Sequence, residues 1–284
     1  MLIVGCGDVG RLLAARARAA DEPVYCIVRT PESAHTLQSQ GLDATALDLD
    51  RASTIPAEAS DEAQVCYLAP PPPAGTTDPR MTRFLDALPT DRQHRIVYIS
   101  TTGVYGDCGG DWVDEQRPVA PQVDRARRRL DAEQQLRAWR AAGHGEVVIL
   151  RVAGIYGPDK LPLSRLRQQV PMIGADDAPW TNRIHIADLV GVCAAAMARG
   201  RDGEVYNVSD GHPGNMRDYF DRVATLFGLP RPPLITLAEA RSQLSPGMLS
   251  YLGESRRLDN RKMLRELGVT LRYPTLEQGL LACV

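Results

Sequence analysis

Three glycines near the start of the chain have the spacing of a phosphate-binding loop. In "GCGDVG", Gly5, Gly7 and Gly10 follow a short apolar run and open a helical pattern, with Asp8 and Val9 between them. This spacing suits a tight turn at the first glycine, backbone approach to a pyrophosphate at the second and close helix packing at the third. The helix N-terminus would hold the phosphates with unpaired N–H groups. The motif predicts dinucleotide binding, and a purely structural turn is the alternative.

The end of the second predicted strand bears on which dinucleotide is bound. A ribose-binding carboxylate is expected about 20 residues beyond the glycines, but Val28 ends the strand "VYCIV" and Arg29 follows it. A guanidinium can pair with a 2′-phosphate, so NADP is favoured and NAD is the second choice. A solvated surface arginine is the alternative. Asp48, after the third strand pattern, is either a ligand of the adenine amino group or a simple loop acid.

The elements that would position these residues alternate along the first two thirds of the chain. Short apolar runs such as "LIVG", "RIVYIS" and "EVVILRV" are separated by helical patterns, which is typical of βαβ units. The predicted fold class is α/β, a Rossmann-type parallel sheet with helices on both faces and a smaller C-terminal substrate lobe. We expect the cofactor domain over residues 1–157, with 182–208 returning to it, and the lobe over 158–181 and 209–284.

A proline tract follows one of these strand patterns directly. Ala69 ends the apolar run "QVCYLA", and Pro70 begins four consecutive prolines. Both residues are candidates to wall a cofactor cleft, and a stiff loop without a ligand is the alternative.

Composition and charge exclude several classes of partner. The formal net charge is −2 over 284 residues, so no global field attracts nucleic acid or anionic lipid. The apolar start lacks the basic flank and cleavage site of a signal peptide, and no stretch approaches a membrane span. Six scattered cysteines lack the pairing of metal or redox motifs. We expect a cytoplasmic protein without a metal, whose partner is a small molecule rather than nucleic acid or a membrane.

Seven stretches, in order, resemble the extended short-chain dehydrogenase/reductase superfamily in its NAD(P)-dependent epimerase/dehydratase branch. They are "GCGDVG", "VYISTTGVYGD", "VDEQRPVAP", "LRVAGIYGP", "NRIHIADLV", "GEVYNVSDG" and "ESRRLDNRKMLRELG". The resemblance implies a Rossmann domain that binds NAD(P) and a C-terminal lobe that closes over substrate. It also implies a Ser or Thr that hydrogen-bonds the substrate oxygen, which maps onto Thr101, and a Tyr-x-x-x-Lys pair on the next helix. In that mechanism the tyrosine transfers a proton, and the lysine holds the nicotinamide ribose.

The next helix offers arginine at both positions of that pair. Counting back from Glu133 in "PQVDRARRRLDAEQQL" places the lysine slot at Arg129 and the tyrosine slot at Arg125, and no tyrosine lies between Tyr105 and Tyr156. Arginine at the lysine slot keeps positive charge near a ribose. Arginine at the tyrosine slot cannot act as an acid or base near neutral pH, since its pKa exceeds about 12, although it can stabilise an oxyanion or bind an anionic substrate. The chain therefore resembles the atypical members of the superfamily that lack this pair.

Helical periodicity sorts the charges of this segment onto two faces. Arg125, Arg129 and Glu133 fall on the apolar, inward face. The opposite face, which we expect to be solvated, carries Arg127, Arg128, Asp131 and Gln135. An inward arginine needs a partner, and for Arg129 this is either Glu133 at i+4 or a ribose or phosphate oxygen of the cofactor.

The remaining candidates leave two functions open. Tyr105 is close in sequence to Thr101 and either replaces the lost acid or simply packs. Arg183 and Arg256 either hold an anionic group of the substrate or form surface ion pairs. The first function is an NADP-using oxidoreductase or epimerase-like enzyme of unknown substrate. The second is a non-catalytic NADP(H) sensor. Both a monomer and a homodimer are compatible with the sequence.

Overall fold

A seven-stranded parallel sheet forms the centre of the computed structural model, which describes residues 1–51, 54–56, 59 and 63–284. The strands are β1 (Leu2–Val4), β2 (Tyr25–Val28), β3 (Asp43–Ala46), β4 (Gln64–Tyr67), β5 (His94–Thr101), β7 (Gly145–Val152) and β12 (Val205–Val208). Their order across the sheet is β3-β2-β1-β4-β5-β7-β12, and all neighbours are parallel. The predicted Rossmann-type α/β class is confirmed.

Helices cover both faces of this sheet. One face packs against α1 (Asp8–Ala19), α2 (Pro31–Ser39), α6 (Ile186–Arg199) and α10 (Arg261–Leu267), and the other against α3 (Pro79–Ala87) and α4 (Asp124–Ala141). Successive strand residues point to opposite faces, so Ile3 joins the first cluster, whereas Leu2 and Val4 join the second. The continuous apolar runs of the sequence are therefore strands that are buried on both sides.

The elements outside the sheet and its covering helices are mostly short. They are β6 (Trp112–Val113), β8 (Gly154–Tyr156), α5 (Leu163–Arg167), β9 (Met172–Ile173), β10 (Trp180–Thr181), β11 (Arg183–His185), β13 (Gly214–Asn215), α7 (Met216–Leu226), β14 (Leu234–Ile235), α8 (Leu237–Gln243), α9 (Pro246–Leu252), β15 (Arg257–Leu258) and α11 (Leu276–Leu281). The strands join as four two-stranded pairs, β10–β13, β8–β11, β9–β14 and β6–β15. The chain leaves the sheet after β7 and returns to it at β12. The predicted domain boundaries themselves stay a prediction.

The described ranges contain neither a membrane-spanning helix nor a cluster of metal-binding side chains. No helix there is long and apolar enough to cross a membrane. No group of three or more His, Cys, Asp or Glu side chains in those ranges could hold a metal ion. The six cysteines are free thiols, and five of them are buried.

Candidate functional site

The three glycines of the first loop differ in their surroundings. Gly5 has φ +87°, and a methyl group added there would lie 2.5 Å from the backbone nitrogen of Ala69. At Gly10 the added methyl would lie 3.1 Å from Cγ2 of Ile3, so α1 packs closely on β1. At Gly7 it would meet no atom within 4 Å. A tight turn, an open backbone and a close contact therefore follow one another in the order that a pyrophosphate loop requires.

The two residues between the second and third glycines have different environments. Val9 packs against the core beneath the sheet. The Asp8 carboxylate is exposed and accepts a hydrogen bond from Nζ of Lys160 at 2.5 Å. This contact holds the pKa of Asp8 below its usual value. The ion pair links the glycine loop to a short 3-10 turn, Pro158–Lys160, that leads into the C-terminal lobe.

A pocket of 130 Å³ lies beside the glycine loop. Five residues predicted to bind the cofactor line it: Gly5, Arg29, Asp48, Ala69 and Pro70. Each follows the carboxyl end of β1, β2, β3 or β4 within a few residues. Parallel α/β sheets bind ligands at that edge, which explains why residues distant in sequence meet there.

Of the two arginines that line this pocket, Arg29 and Arg80, only Arg29 is weakly held. The Arg29 side chain is 67% exposed, and its nearest acidic contacts are 3.8 Å to Asp48 and 3.9 Å to Asp50. Asp50 receives two shorter hydrogen bonds, 2.7 and 2.6 Å, from Nε and Nη2 of Arg80. Arg80 also donates to the carbonyl oxygen of Pro70 at 2.9 Å. Because Arg80 already compensates Asp50, the Arg29 guanidinium can turn to another anion.

A larger cleft, of 630 Å³, opens where β5 and β7 end. Its walls include the proline tract and residues of β5, α4 and the C-terminal lobe; among them are Pro70–Pro73, Ile99–Gly103, Arg125, Arg128, Arg129, Lys160, Asn182, Arg183, Tyr251, Glu254 and Arg256. Thr101 is half-buried in this wall, and its Oγ1 accepts from the backbone N–H of Gly103 at 3.2 Å. The hydroxyl hydrogen of Thr101 has no recorded acceptor among the described residues, so it is available to a bound oxygen.

Comparison with known proteins agrees with this architecture. The NAD dependent epimerase/dehydratase family matches residues 1–209. The chain belongs to this family. Protein YeeZ of Escherichia coli K12 is 26% identical over 96% of this chain and 95% of its own length. A structure from Silicibacter pomeroyi, of a functionally unknown conserved protein, is 30% identical, with a TM-score of 0.85 over 99% of this chain and 96% of that one. MoeE5 in complex with UDP-glucose and NAD is 22% identical, with a TM-score of 0.76 over 99% and 96%, and shares the fold.

In this epimerase/dehydratase-family chain, Arg129 contacts the ends of two strands. Its Nη1 donates to the carbonyl oxygen of Ile99 at 2.9 Å and lies 3.3 Å from the Tyr98 hydroxyl and 3.5 Å from the carbonyl oxygen of Ala69. The predicted pairing with Glu133 is wrong. Neutral oxygens accept its hydrogen bonds instead, and the carboxyl group that acts on its positive charge is the buried Asp78, beyond ion-pair distance.

Glu133 has another partner because it lies deeper than expected. It is fully buried and forms a two-point ion pair with Arg151 of β7, with distances of 2.7 and 3.1 Å. It also accepts from Oγ of Ser100 at 2.5 Å. This network ties α4 to the ends of β5 and β7, directly beneath Thr101. The sequence analysis did not predict a role for Arg151. The one feature that could have indicated it is a charged residue within the apolar run "EVVILRV".

Arg125 connects α4 to α9 in the C-terminal part of the chain. Its Nη1 donates to Oγ of Ser250 at 2.5 Å, and its guanidinium lies 4.2 Å from the ring centre of Tyr251. Both partners belong to α9. The residue at the predicted tyrosine slot therefore contacts the lobe from across the cleft.

The opposite face of α4 is not the solvated surface that periodicity predicts. Arg127 is exposed, but Arg128 is only 7% exposed and donates to the carbonyl oxygen of Gly75 at 2.5 Å. Asp131 accepts from the backbone N–H of Asp78 at 2.7 Å. The physical reason is that the loop between β4 and α3, which begins with the proline tract, packs onto this face.

Tyr105 lies outside the wall of the cleft. It is 1% exposed, its hydroxyl donates to Oδ1 of Asn207 at 2.8 Å, and burial raises its pKa to about 12. Arg151 lies 4.8 Å from the centre of its ring. A buried phenol with these partners does not face the cleft. The structure therefore favours the alternative that Tyr105 packs over the one in which it replaces the lost acid.

Two arginines of the C-terminal part line the cleft with different degrees of compensation. Arg256 pairs with Glu254 at 2.8 Å and donates to the carbonyl oxygen of Gly106 at 2.5 Å. Arg183 stacks 3.7 Å from the ring centre of Tyr219, and its Nη2 is buried without a partner among the described residues. Burial lowers the pKa of Arg183. An anionic ligand would compensate Arg183 more than Arg256.

The backbone N–H of Asp210 donates to the carbonyl oxygen of Arg183. Titration of the buried Asp210 carboxyl gives a prediction of how stability depends on pH. Burial raises its pKa from 3.8 to about 6. The folded chain then binds more protons than the unfolded chain between these values, so ionisation of Asp210 lowers the free energy of unfolding as pH rises from about 4 to 6, by about 3 kcal/mol at most. Asp210→Asn should remove this loss in denaturant titrations across that range. The exposed variant Asp177→Asn is the control, and equal slopes for the two variants would contradict the assignment.

Proposed function

We propose that this chain is an NAD(P)-binding, oxidoreductase- or epimerase-like protein that acts on a small molecule. The observation that carries the proposal is the glycine loop, where Gly7 is open to a ligand and Gly5 abuts Ala69. The 130 Å³ pocket and the 630 Å³ cleft adjoin the carboxyl edge of the sheet and share Pro70. Such a pair of connected sites suits the two halves of a dinucleotide.

The residues predicted from the sequence can be assigned to successive parts of a dinucleotide. Gly5, Gly7 and Gly10 would hold the pyrophosphate with Asp8 and Val9 contributing backbone, and Asp48 would face the adenine. Arg129 would hold the nicotinamide ribose near Ala69 and Pro70. The nicotinamide supplies hydride transfer when it is bound. Thr101 would hydrogen-bond the reacting oxygen of the substrate.

We assign NADP as the preferred cofactor, with NAD second. Arg29 is exposed and its two acidic contacts are long, so it can pair with a 2′-phosphate by charge-assisted hydrogen bonds. Asp48 and Asp50 oppose this preference, since they repel a phosphate and can accept from a 2′-hydroxyl. The bidentate contact from Arg80 offsets the charge of Asp50.

Replacing Arg29 tests this preference. Arg29→Ala should weaken NADPH binding roughly 10- to 100-fold, the loss of one or two charged hydrogen bonds, and change NADH affinity less than about threefold. Calorimetric titration of both dinucleotides gives the ratio. Arg16→Ala, an exposed arginine on α1, is the matched control. Equal losses for NADPH and NADH would show that Arg29 does not read the 2′-phosphate.

The catalytic part of the proposal assigns Arg125 an electrostatic role. It cannot transfer a proton at neutral pH, but its positive charge can act on a substrate bound beside Thr101, by stabilising an oxyanion that forms there or by holding an anionic group of the substrate. A solvent molecule or the substrate itself would then supply the proton. The bond from Arg125 to Ser250 favours the second candidate function, a sensor that reports cofactor binding through movement of the lobe, because it links the two sides of the cleft directly.

Consumption of NADPH with a set of carbonyl compounds separates the two candidates. Turnover that Thr101→Ala slows at least about 10-fold supports the enzyme. Saturable binding of NADPH without turnover of any compound supports the sensor.

A further inference from the structure

The main cleft has a marked excess of positive charge. Six cationic side chains and one carboxylate, Glu254, line it, although the whole chain has a net charge of −2. Glu254 compensates Arg256, and Asp8 compensates Lys160. None of the other four has a carboxylate within ion-pair distance in the described part of the chain, although Asp78 acts on Arg129 and Asp210 on Arg183 over a longer distance; the four are Arg125, Arg128, Arg129 and Arg183.

Arg125 and Arg128 lie one helical turn apart at the start of α4, and each uses only part of its donor capacity. Every hydrogen bond recorded for the two guanidiniums leaves through Nη1, to Ser250 in one case and to Gly75 in the other. Nε of Arg128 is buried and has no partner among the described residues. A buried guanidinium nitrogen without an acceptor is destabilising. Because Nε of Arg128 has almost no accessible surface, a ligand oxygen in the cleft would bind Nη2 instead, which is not among the buried unpartnered atoms.

The planar guanidinium identifies the chemistry of this ligand. Arginine binds carboxylate and phosphate through two parallel hydrogen bonds, and a neutral ligand would leave both charges uncompensated in a partly desolvated wall. The helix places the pair next to the turn that follows Thr101, since a methyl group added at Gly103 would lie 3.4 Å from Cβ of Ala126. An anionic group held there lies beside the proposed substrate oxygen.

We infer that Arg125 and Arg128 form an anion subsite that binds a carboxylate or phosphate group of the substrate. This rests on the proposed function and names its substrate class, a small molecule that is anionic near its reacting end. The subsite occupies the wall where the tyrosine slot is predicted. It uses residues other than Arg183 and Arg256, which line the same cleft.

One inorganic anion, phosphate, and one organic anion, succinate, test the subsite. Phosphate and succinate are titrated calorimetrically at low ionic strength into the chain saturated with NADPH, so that the pyrophosphate loop is already filled. The wild type is expected to bind at least one probe in the millimolar range, and the tighter probe indicates phosphate or carboxylate. Arg125→Gln and Arg128→Gln should each weaken binding at least about 10-fold. Arg127→Gln, on the same helix but exposed and paired with Asp124, is the control and should match the wild type.

Binding that neither variant changes by more than twofold, or no binding of either probe to the wild type, would overturn the subsite. Arg128→Gln also breaks the contact to Gly75, so circular dichroism must show that it is folded, and Arg125→Gln decides the matter if it is not. If NADPH itself does not bind, the proposed function fails. The anion titrations then proceed on the free chain and still judge the subsite by the same comparison.

Discussion

The substitution Gly7→Val is expected to weaken NADPH binding about 100-fold or more while leaving the fold intact. A Cβ added at Gly7 meets no protein atom within 4 Å, so the substitution is expected to cost the free protein little. The valine side chain would fill the space in which a pyrophosphate approaches the backbone, and losing two or more charged hydrogen bonds there accounts for the magnitude. Calorimetry with NADPH, together with thermal unfolding, separates the two effects.

Gly174→Val is the matched control for this substitution. Gly174 also has open space around its Cα, does not require a positive φ, and lies outside both pockets. It should keep the affinity of the wild type. If Gly7→Val binds NADPH as tightly as Gly174→Val, the dinucleotide does not use the glycine loop.

The substitution Glu133→Ala is expected to lower the free energy of unfolding by about 3–5 kcal/mol. Glu133 is fully buried, and its removal leaves the Arg151 guanidinium, 4% exposed, without a carboxylate. Ser100 loses its acceptor as well. For a chain of this size the expected fall in melting temperature is on the order of 10 °C. Urea unfolding followed by circular dichroism measures the free energy.

Two further variants identify the cause of that loss. Gln134→Ala, next along α4 but exposed, should change stability by less than about 1 kcal/mol. Glu133→Leu combined with Arg151→Met replaces the pair by apolar side chains and should recover part of the lost stability. A small effect of Glu133→Ala would mean that Arg151 finds another acceptor.

The parallel sheet could be predicted from the sequence because its signals are local. Apolar runs of strand length, separated by helical periodicity, specify βαβ units, and connections between parallel strands permit few arrangements. The glycine loop is equally local, since Gly5, Gly7 and Gly10 lie within one turn and one helix start. The pocket beside it lies where Arg29 and Asp48 each follow a parallel strand, because the carboxyl ends of such strands meet at one edge of the sheet.

The burial of charges on α4 could not be predicted in the same way. Periodicity assigns one inward face to a helix, but α4 is covered on a second side by the loop that begins at Pro70. Arg128 is buried there, and its contact with Gly75 spans 53 positions. The i+4 rule suggested Glu133 for Arg129, whereas a strand arginine, Arg151, offered Glu133 a better two-point partner. Such choices depend on tertiary packing.

Contacts from the C-terminal lobe were also outside the reach of sequence reasoning. The contact from Arg125 to Ser250 spans 125 positions and has no motif. Tyr251 lies in a short helix, α9, whose sequence pattern resembles that of any surface helix. Charge balance within the cleft is visible only once the lobe is placed over the sheet.

Calorimetric titration of NADPH and NADH into the wild-type chain tests the central claim most directly. The claim is that the chain binds a dinucleotide although α4 carries Arg125 and Arg129 at the tyrosine and lysine positions of the family. We predict one-to-one, saturable binding with a Kd below about 1 mM for at least one of the two dinucleotides and tighter binding of NADPH. Failure of both to bind at that level would contradict the assignment of the glycine loop and, with it, the proposed function.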